Sequence, residues 1–207
     1  MVHLLTLEEG EFLVKLARRT IETYLRSGRK PPVPKVGERL REKRGVFVTL
    51  TKNGELRGCI GYPLPNFPLV EAVMDSAISS AVDDPRFPPV ALDELQDITI
   101  EVSILTQPEL IRVRNPKDYL KHVEIGKHGL IVEYAGHTGL LLPQVPIEWD
   151  WSVEEFLSQT CMKAGLMPDC WLQEGVRISR FSAQIFTEVT PGGRVEERRL
   201  SCPESHR

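Results

Sequence analysis

Asn53-Gly54 stands between two extended runs, Gly45–Thr51 and Glu55–Gly61. An Asn-Gly pair in that setting is the strongest short signal for a tight β-hairpin. Four further segments read as strands. Ile98, Ile100, Val102 and Ile104 alternate with Thr99, Glu101 and Ser103, which predicts a half-buried strand over Asp97–Leu105. Leu130–Tyr134 and Gly139–Leu142 form a second pair, joined through Ala135-Gly136-His137-Thr138, and Val176–Val189 holds one or two more strands. Helices are equally well marked. Thr6 and Glu9 make a capping box, the stripe Leu13, Leu16, Ala17, Thr20, Ile21, Tyr24 follows, and Gly28 stops it. Pro68 opens a helix to about Val82, and Ser152 with Glu155 opens another that ends near Gly165. Residues 29–44, around Lys30-Pro31-Pro32-Val33-Pro34, read as an extended charged linker and not a helix. Hairpins and helices mix without a βαβ rhythm. The expected class is α+β, a mostly antiparallel sheet flanked by helices.

Composition narrows the function classes. The chain has 207 residues, 41% apolar and 27% charged, with a net charge of −3; this is globular composition and excludes collagen-like or wholly disordered chains. The length suits one domain, or a larger lobe with a smaller one. No apolar run is long enough to span a bilayer. Met1-Val2-His3-Leu4 does not open a secretory signal, so the expected compartment is the cytoplasm. There Cys59, Cys161, Cys170 and Cys202 are expected as thiols. Gly126-Lys127-His128 lacks the rest of a phosphate loop, and Cys161 and Cys170, nine apart, do not make a zinc pattern. No cofactor or metal is therefore expected. Residues 15–44 carry eleven Lys and Arg against three Glu, which reads either as a solvated charged face or as a nucleic-acid footprint.

The sharpest chemical feature is Arg57-Gly58-Cys59. Residues two apart on a strand share a face, so Arg57 is expected beside the Cys59 thiol, where a cation favours the nucleophilic thiolate. Gly58 and Gly61 leave room for a close approach to that backbone. His128, in Lys127-His128-Gly129, is the candidate general base or a substrate contact, or else a turn residue at the surface. Gln144 ends the run Leu140-Leu141-Leu142-Pro143 and can position a substrate or donate to an oxyanion. Glu101 on its strand and Arg86 in Asp83-Asp84-Pro85-Arg86 are further substrate-binding candidates.

Leu56-Arg57-Gly58-Cys59-Ile60-Gly61, together with Gly45-Val46-Phe47-Val48-Thr49-Leu50, Asp84-Pro85-Arg86-Phe87, Ile100-Glu101-Val102-Ser103, Ile125-Gly126-Lys127-His128-Gly129-Leu130 and Leu140-Leu141-Leu142-Pro143-Gln144-Val145, resembles the AMMECR family nearly end to end. The family is named for the Alport syndrome, midface hypoplasia and elliptocytosis chromosomal region. The length is similar to its single-domain archaeal or bacterial form. The resemblance implies an α+β fold over 1–207 with two lobes and a cleft. It implies Arg57, Cys59, His128 and Gln144 near that cleft, with Glu101 and Arg86 as companions. It assigns no reaction, and it implies a pathway shared with a Memo-type protein and a radical-SAM enzyme. Three readings follow: an enzyme with Cys59 and Arg57 at its centre acting on a small substrate; a binding or adaptor protein for a small molecule or protein partner; and a nucleic-acid-associated regulator working through 15–44.

Overall fold

A computed structural model describes residues 4–199; Cys202 lies outside them. In chain order the elements are α1 (Leu7–Ser27), α2 (Glu38–Arg41), β1 (Val46–Lys52), β2 (Glu55–Tyr62), α3 (Leu69–Val82), β3 (Ile98–Leu105), β4 (Glu109–Leu110), α4 (Tyr119–His122), β5 (Gly129–Tyr134), β6 (His137–Leu141), α5 (Val145–Glu148), α6 (Val153–Lys163), β7 (Arg177–Phe181), β8 (Ala183–Glu188) and β9 (Val195–Arg198). The strands form two antiparallel sheets, β2-β1-β3-β8-β9 and β4-β7-β5-β6, so the α+β class stands. No described helix is long and apolar enough to cross a membrane. The chain divides into two compact units: residues up to Leu105 with Gln184–Arg198, and Thr106–Ala183.

In the first unit the hairpin forms as its turn residues dictate, with Asn53 and Gly54 both at positive φ. α1 has the expected capping box, and Gly28 closes it in the left-handed region. Val46, Val48 and Leu50 of β1 and Ile98, Ile100, Val102 and Ile104 of β3 point into one core with Leu13, Ala17 and Ile21 of α1 and Val73 and Ala77 of α3. The linker is extended through residue 37, but Glu38–Arg41 then makes one helical turn that buries Leu40, a correction to the linker reading. A second correction concerns β3. Its polar face is buried too, with Glu101 at 7% and Ser103 at 0% exposure. β9, in a tail without a strong pattern, pairs with β8 and completes the sheet.

Two sets of polar contacts close this unit across the chain. Arg18 of α1 meets Glu188 of β8 in a two-pronged ion pair, Nε to Oε1 at 2.6 Å and Nη2 to Oε2 at 2.5 Å. Its guanidinium also donates to the Leu95 and Ile98 carbonyls, and Glu188 accepts from the Ile100 amide at 3.0 Å. Gln184 accepts from the Leu4 and Leu5 amides and donates to the Leu5 carbonyl.

The second unit packs α6 on the β5–β6 hairpin around Leu130, Val132, Phe156, Leu157, Trp171 and Ile178. Gly139 permits this, because a Cβ there would lie 2.6 Å from the Thr160 carbonyl oxygen. Cys161 and Cys170 are not thiols: they form a disulfide with a Cα–Cα distance of 6.0 Å. The turn at Gly165 and the 3-10 turn Cys170–Leu172 fold the second cysteine back against α6. Compartment reasoning cannot see that proximity.

Two stability effects are expected. Glu188→Ala leaves the Arg18 guanidinium without its carboxylate and should cost about 3–5 kcal/mol in urea unfolding. Reducing the Cys161–Cys170 bridge, which closes a loop of nine-residue separation, should cost about 2–3 kcal/mol by the same measurement.

Candidate functional site

β2 is an edge strand, and Cys59 turns its N–H and C=O outward from β1. Both groups are met by side chains of the loop after α3. Asp84 accepts from the Cys59 amide at 2.8 Å, and Arg86 Nη2 donates to the Cys59 carbonyl at 3.3 Å. Asp84 in turn holds Arg86 through Nε at 2.9 Å and Nη2 at 2.7 Å. The pair thus stands in for a neighbouring strand and caps an open sheet edge. Arg86, expected to bind substrate, has this structural task as well; its guanidinium remains half exposed and lies 5.5 Å from the Phe87 ring centroid.

Gly58 and Gly61 are explained by packing. A Cβ on Gly58 would fall on the Ser80 carbonyl oxygen of α3, and one on Gly61 would meet Val46 and Phe47. The close approach inferred from these glycines is made by the protein itself. Ser80 completes the joint, donating to the Val48 carbonyl at 2.7 Å and accepting from the Ile60 amide at 2.8 Å.

Arg57 is not beside the thiol. Leu50 faces Gly58 while Thr51 faces Leu56, so Arg57 is the extra residue of a β-bulge. A bulge re-aims side chains, and Arg57 turns to Glu94, Nε to Oε1 at 2.8 Å and Nη2 to Oε2 at 3.0 Å, with Lys52 Nζ on the same carboxylate at 3.1 Å. The cation whose charge reaches Cys59 is Arg86.

The thiol's hydrogen-bond partner is Thr49, its neighbour across the hairpin, with Oγ1 and Sγ 3.3 Å apart. Thr49 is also opposite Glu101 on β3, so Cys59, Thr49 and Glu101 make one row on the sheet face turned away from α1 and α3. Arg198 reaches Glu101 at 2.9 Å. Ser103, one pair further along that face, is fully buried, and its hydroxyl has no hydrogen-bond partner among the described residues. Burial pushes the Cys59 pKa above its ordinary value; the Thr49 hydrogen bond and Arg86 pull it down, while Glu101 and Asp84 push it up. The resting group is a protonated thiol.

His128 and Gln144 belong to the second unit. The His128 ring accepts the Glu124 amide at Nδ1, 3.1 Å, and so ties a turn at positive-φ Gly126. Burial, then Arg180 and Lys127, lowers its pKa, so the ring is neutral near pH 7. With Nδ1 accepting, the proton sits on Nε2. His128 therefore offers a donor there and not a base lone pair. Gln144 is buried at the start of α5, and its Oε1 has no partner among the described residues. No group of three or more His, Cys, Asp or Glu among the described residues is placed to hold a metal ion. Among the described residues, six of the eleven basic residues in 15–44 sit in ion pairs, with Glu11, Glu188, Glu22, Asp75, Glu9 and Glu42. Thr49, Asp84, Glu94 and Ser103 were the residues that sequence reasoning did not assign to the site. Only the i, i+2 spacing of Asp84 and Arg86 signalled one of these contacts.

Asp84 and Glu94 make the site sensitive to acid. Arg86 holds the Asp84 carboxyl down at about 2, and Arg57 does the same for Glu94. A carboxyl whose folded pKa is depressed adds stability above its ordinary pKa, and loses it as pH falls through the folded value. Stability should therefore fall between about pH 4.5 and 2, by on the order of 1 kcal/mol per group once solvent screening is allowed for. Asp84→Asn and Glu94→Gln should each flatten that limb in urea titrations run against pH.

Known proteins align with this chain over almost all of its length. A protein of Methanocaldococcus jannaschii is 57% identical over 201 residues, covering 96% of this chain and all of that one. A protein of Thermococcus onnurineus is 57% identical over 200 residues, covering 93% and 97%. The crystal structure of an uncharacterised protein from Pyrococcus horikoshii superposes with a TM-score of 0.90 at 53% identity, covering 93% of this chain and 98% of its own. The AMMECR1 family model matches residues 14–186, and the chain belongs to the AMMECR1 family.

Proposed function

We propose that this protein binds a small polar ligand at the Cys59–Thr49–Glu101 row, with Cys59 as a recognition contact in its protonated form. One observation carries the reading. The thiol is bonded to a hydroxyl, and each nearby guanidinium is already engaged by a carboxylate, Arg57 by Glu94 and Arg86 by Asp84. An activated cysteine needs a base or an uncommitted cation beside it. Cys59 and Thr49 are partly exposed and lead inward to the buried Glu101, and Ser103 on the same face carries a hydroxyl without a partner among the described residues. Buried polar groups left unpaired by the protein are what a polar ligand can satisfy.

A second reading, an enzyme whose Cys59 thiolate forms only with substrate bound, draws on Thr49 and Arg86. Both stabilise a negative sulfur.

Alkylation of Cys59 by iodoacetamide, followed by mass spectrometry against pH, separates the two. The binding reading expects the rate to climb only above the ordinary thiol pKa of about 8.5, and Arg57→Ala to leave it within about twofold, because Arg57 is committed to Glu94. Rapid alkylation below pH 7.5 would overturn it and restore the nucleophile.

A further inference from the structure

Arg86 is pinned along one edge and open along the other. Asp84, its side chain 2% exposed, accepts from Nε and Nη2, and Nη2 also donates to the Cys59 carbonyl. The two Nη1 hydrogens have no acceptor among the described residues, and the Arg86 side chain is 51% exposed. A guanidinium keeps its charge at any physiological pH and presents its donors in a rigid fork. One already held in place by a buried carboxylate loses little freedom when it takes up a further acceptor.

The Thr49–Cys59 pair adds a second donor. Each side chain carries one hydrogen, and either atom can donate across the 3.3 Å contact between them. One hydrogen is spent there and the other remains, whichever way the contact runs. The sulfur and the guanidinium also feel one another's charge: Arg86 pulls the Cys59 pKa down, and Cys59 raises that of Arg86.

Charge decides what meets these donors. Lys52, Arg57, Arg86 and Arg198 stand against Asp84, Glu94 and Glu101, and each of these three carboxylates already holds a cation. The cluster therefore keeps one positive charge in excess. A cationic ligand would have to displace one of those pairs, whereas an anion displaces none. An oxyanion also accepts charge-assisted hydrogen bonds, which are stronger than those a neutral carbonyl accepts.

We infer that the ligand of the Cys59 row carries an oxyanion, a carboxylate or a phosphate, held by Arg86 Nη1 and by the spare hydrogen of the Thr49–Cys59 pair. The inference rests on the binding reading of that row and adds the charge of the ligand and its anchor.

The test follows alkylation of Cys59 by iodoacetamide in the full chain at a fixed pH of about 8.5. Sodium acetate, inorganic phosphate, acetamide or methylammonium chloride is added, with ionic strength matched by sodium chloride. Acetate or phosphate should slow the reaction saturably, by about threefold or more, and the stronger of the two identifies the headgroup. The same ion should move the Arg86 Nε–H signal in NMR spectra of the unmodified chain, a readout that needs no variant. Arg86→Lys keeps the charge and loses the fork, so it should weaken the protection about tenfold. Equal protection by acetamide, or stronger protection by methylammonium, would overturn the inference. So would protection unchanged within about twofold in Arg86→Lys, or none from either oxyanion. The pH profile of Cys59 alone, with no ligand added, judges the row itself, so the oxyanion can fail while the row stands.

Discussion

The Arg18–Glu188 ion pair joins the first helix to a strand 170 residues later. It is the constraint on which the first unit depends. That unit is built from two stretches of chain separated by the whole of the second, so its sheet can close only if the C-terminal strands return to α1. A buried charge pair is stabilising only when its remaining donors and acceptors are met. Here the guanidinium also serves the Leu95 and Ile98 carbonyls and the carboxylate also serves the Ile100 amide. The network fixes β8 next to β3 and fixes the turn that carries Glu94. Glu94 then fixes Arg57. The long-range closure and the candidate site are thus mechanically continuous within one unit.

The candidate site is largely an edge-capping device with a polar row attached. Asp84 and Arg86 satisfy the backbone of Cys59 at the outer side of β2, and Ser80 fills the joint above Gly58. Such an arrangement holds the Cys59 backbone rigidly and leaves its side chain to one hydroxyl. Rigid placement of an unactivated thiol suits recognition. Reaction would require the electrostatic balance among Arg86, Glu101 and Asp84 to change.

Much of the fold was legible in the sequence because its signals are local. The capping boxes at Thr6 and Ser152, the Asn53-Gly54 turn and the alternation in β3 each involve residues within a few positions of one another. The site was half legible. Cys59, Glu101 and Arg86 stood out by type and context, and they do lie together around one strand pair. The expected Arg57–Cys59 contact failed because a bulge between them breaks the period of two, and nothing in Leu56-Arg57-Gly58 marks a bulge in advance. His128 stood out by residue type, but that its Nδ1 accepts the Glu124 amide could not be read from the sequence.

The sequence by itself determined the longer helices, the main hairpins, the class and the family, since these follow from short-range pattern and from motifs in order. Tertiary structure alone decided which charge meets which. Glu94 captures Arg57, Glu188 captures Arg18, Cys170 meets Cys161, and Glu101 and Ser103 on the polar face of β3 are buried. The physical reason is range. Hydrogen-bond geometry, ion pairing and desolvation depend on distances of a few ångströms between residues that the chain holds tens of positions apart, and only the closed fold sets those distances.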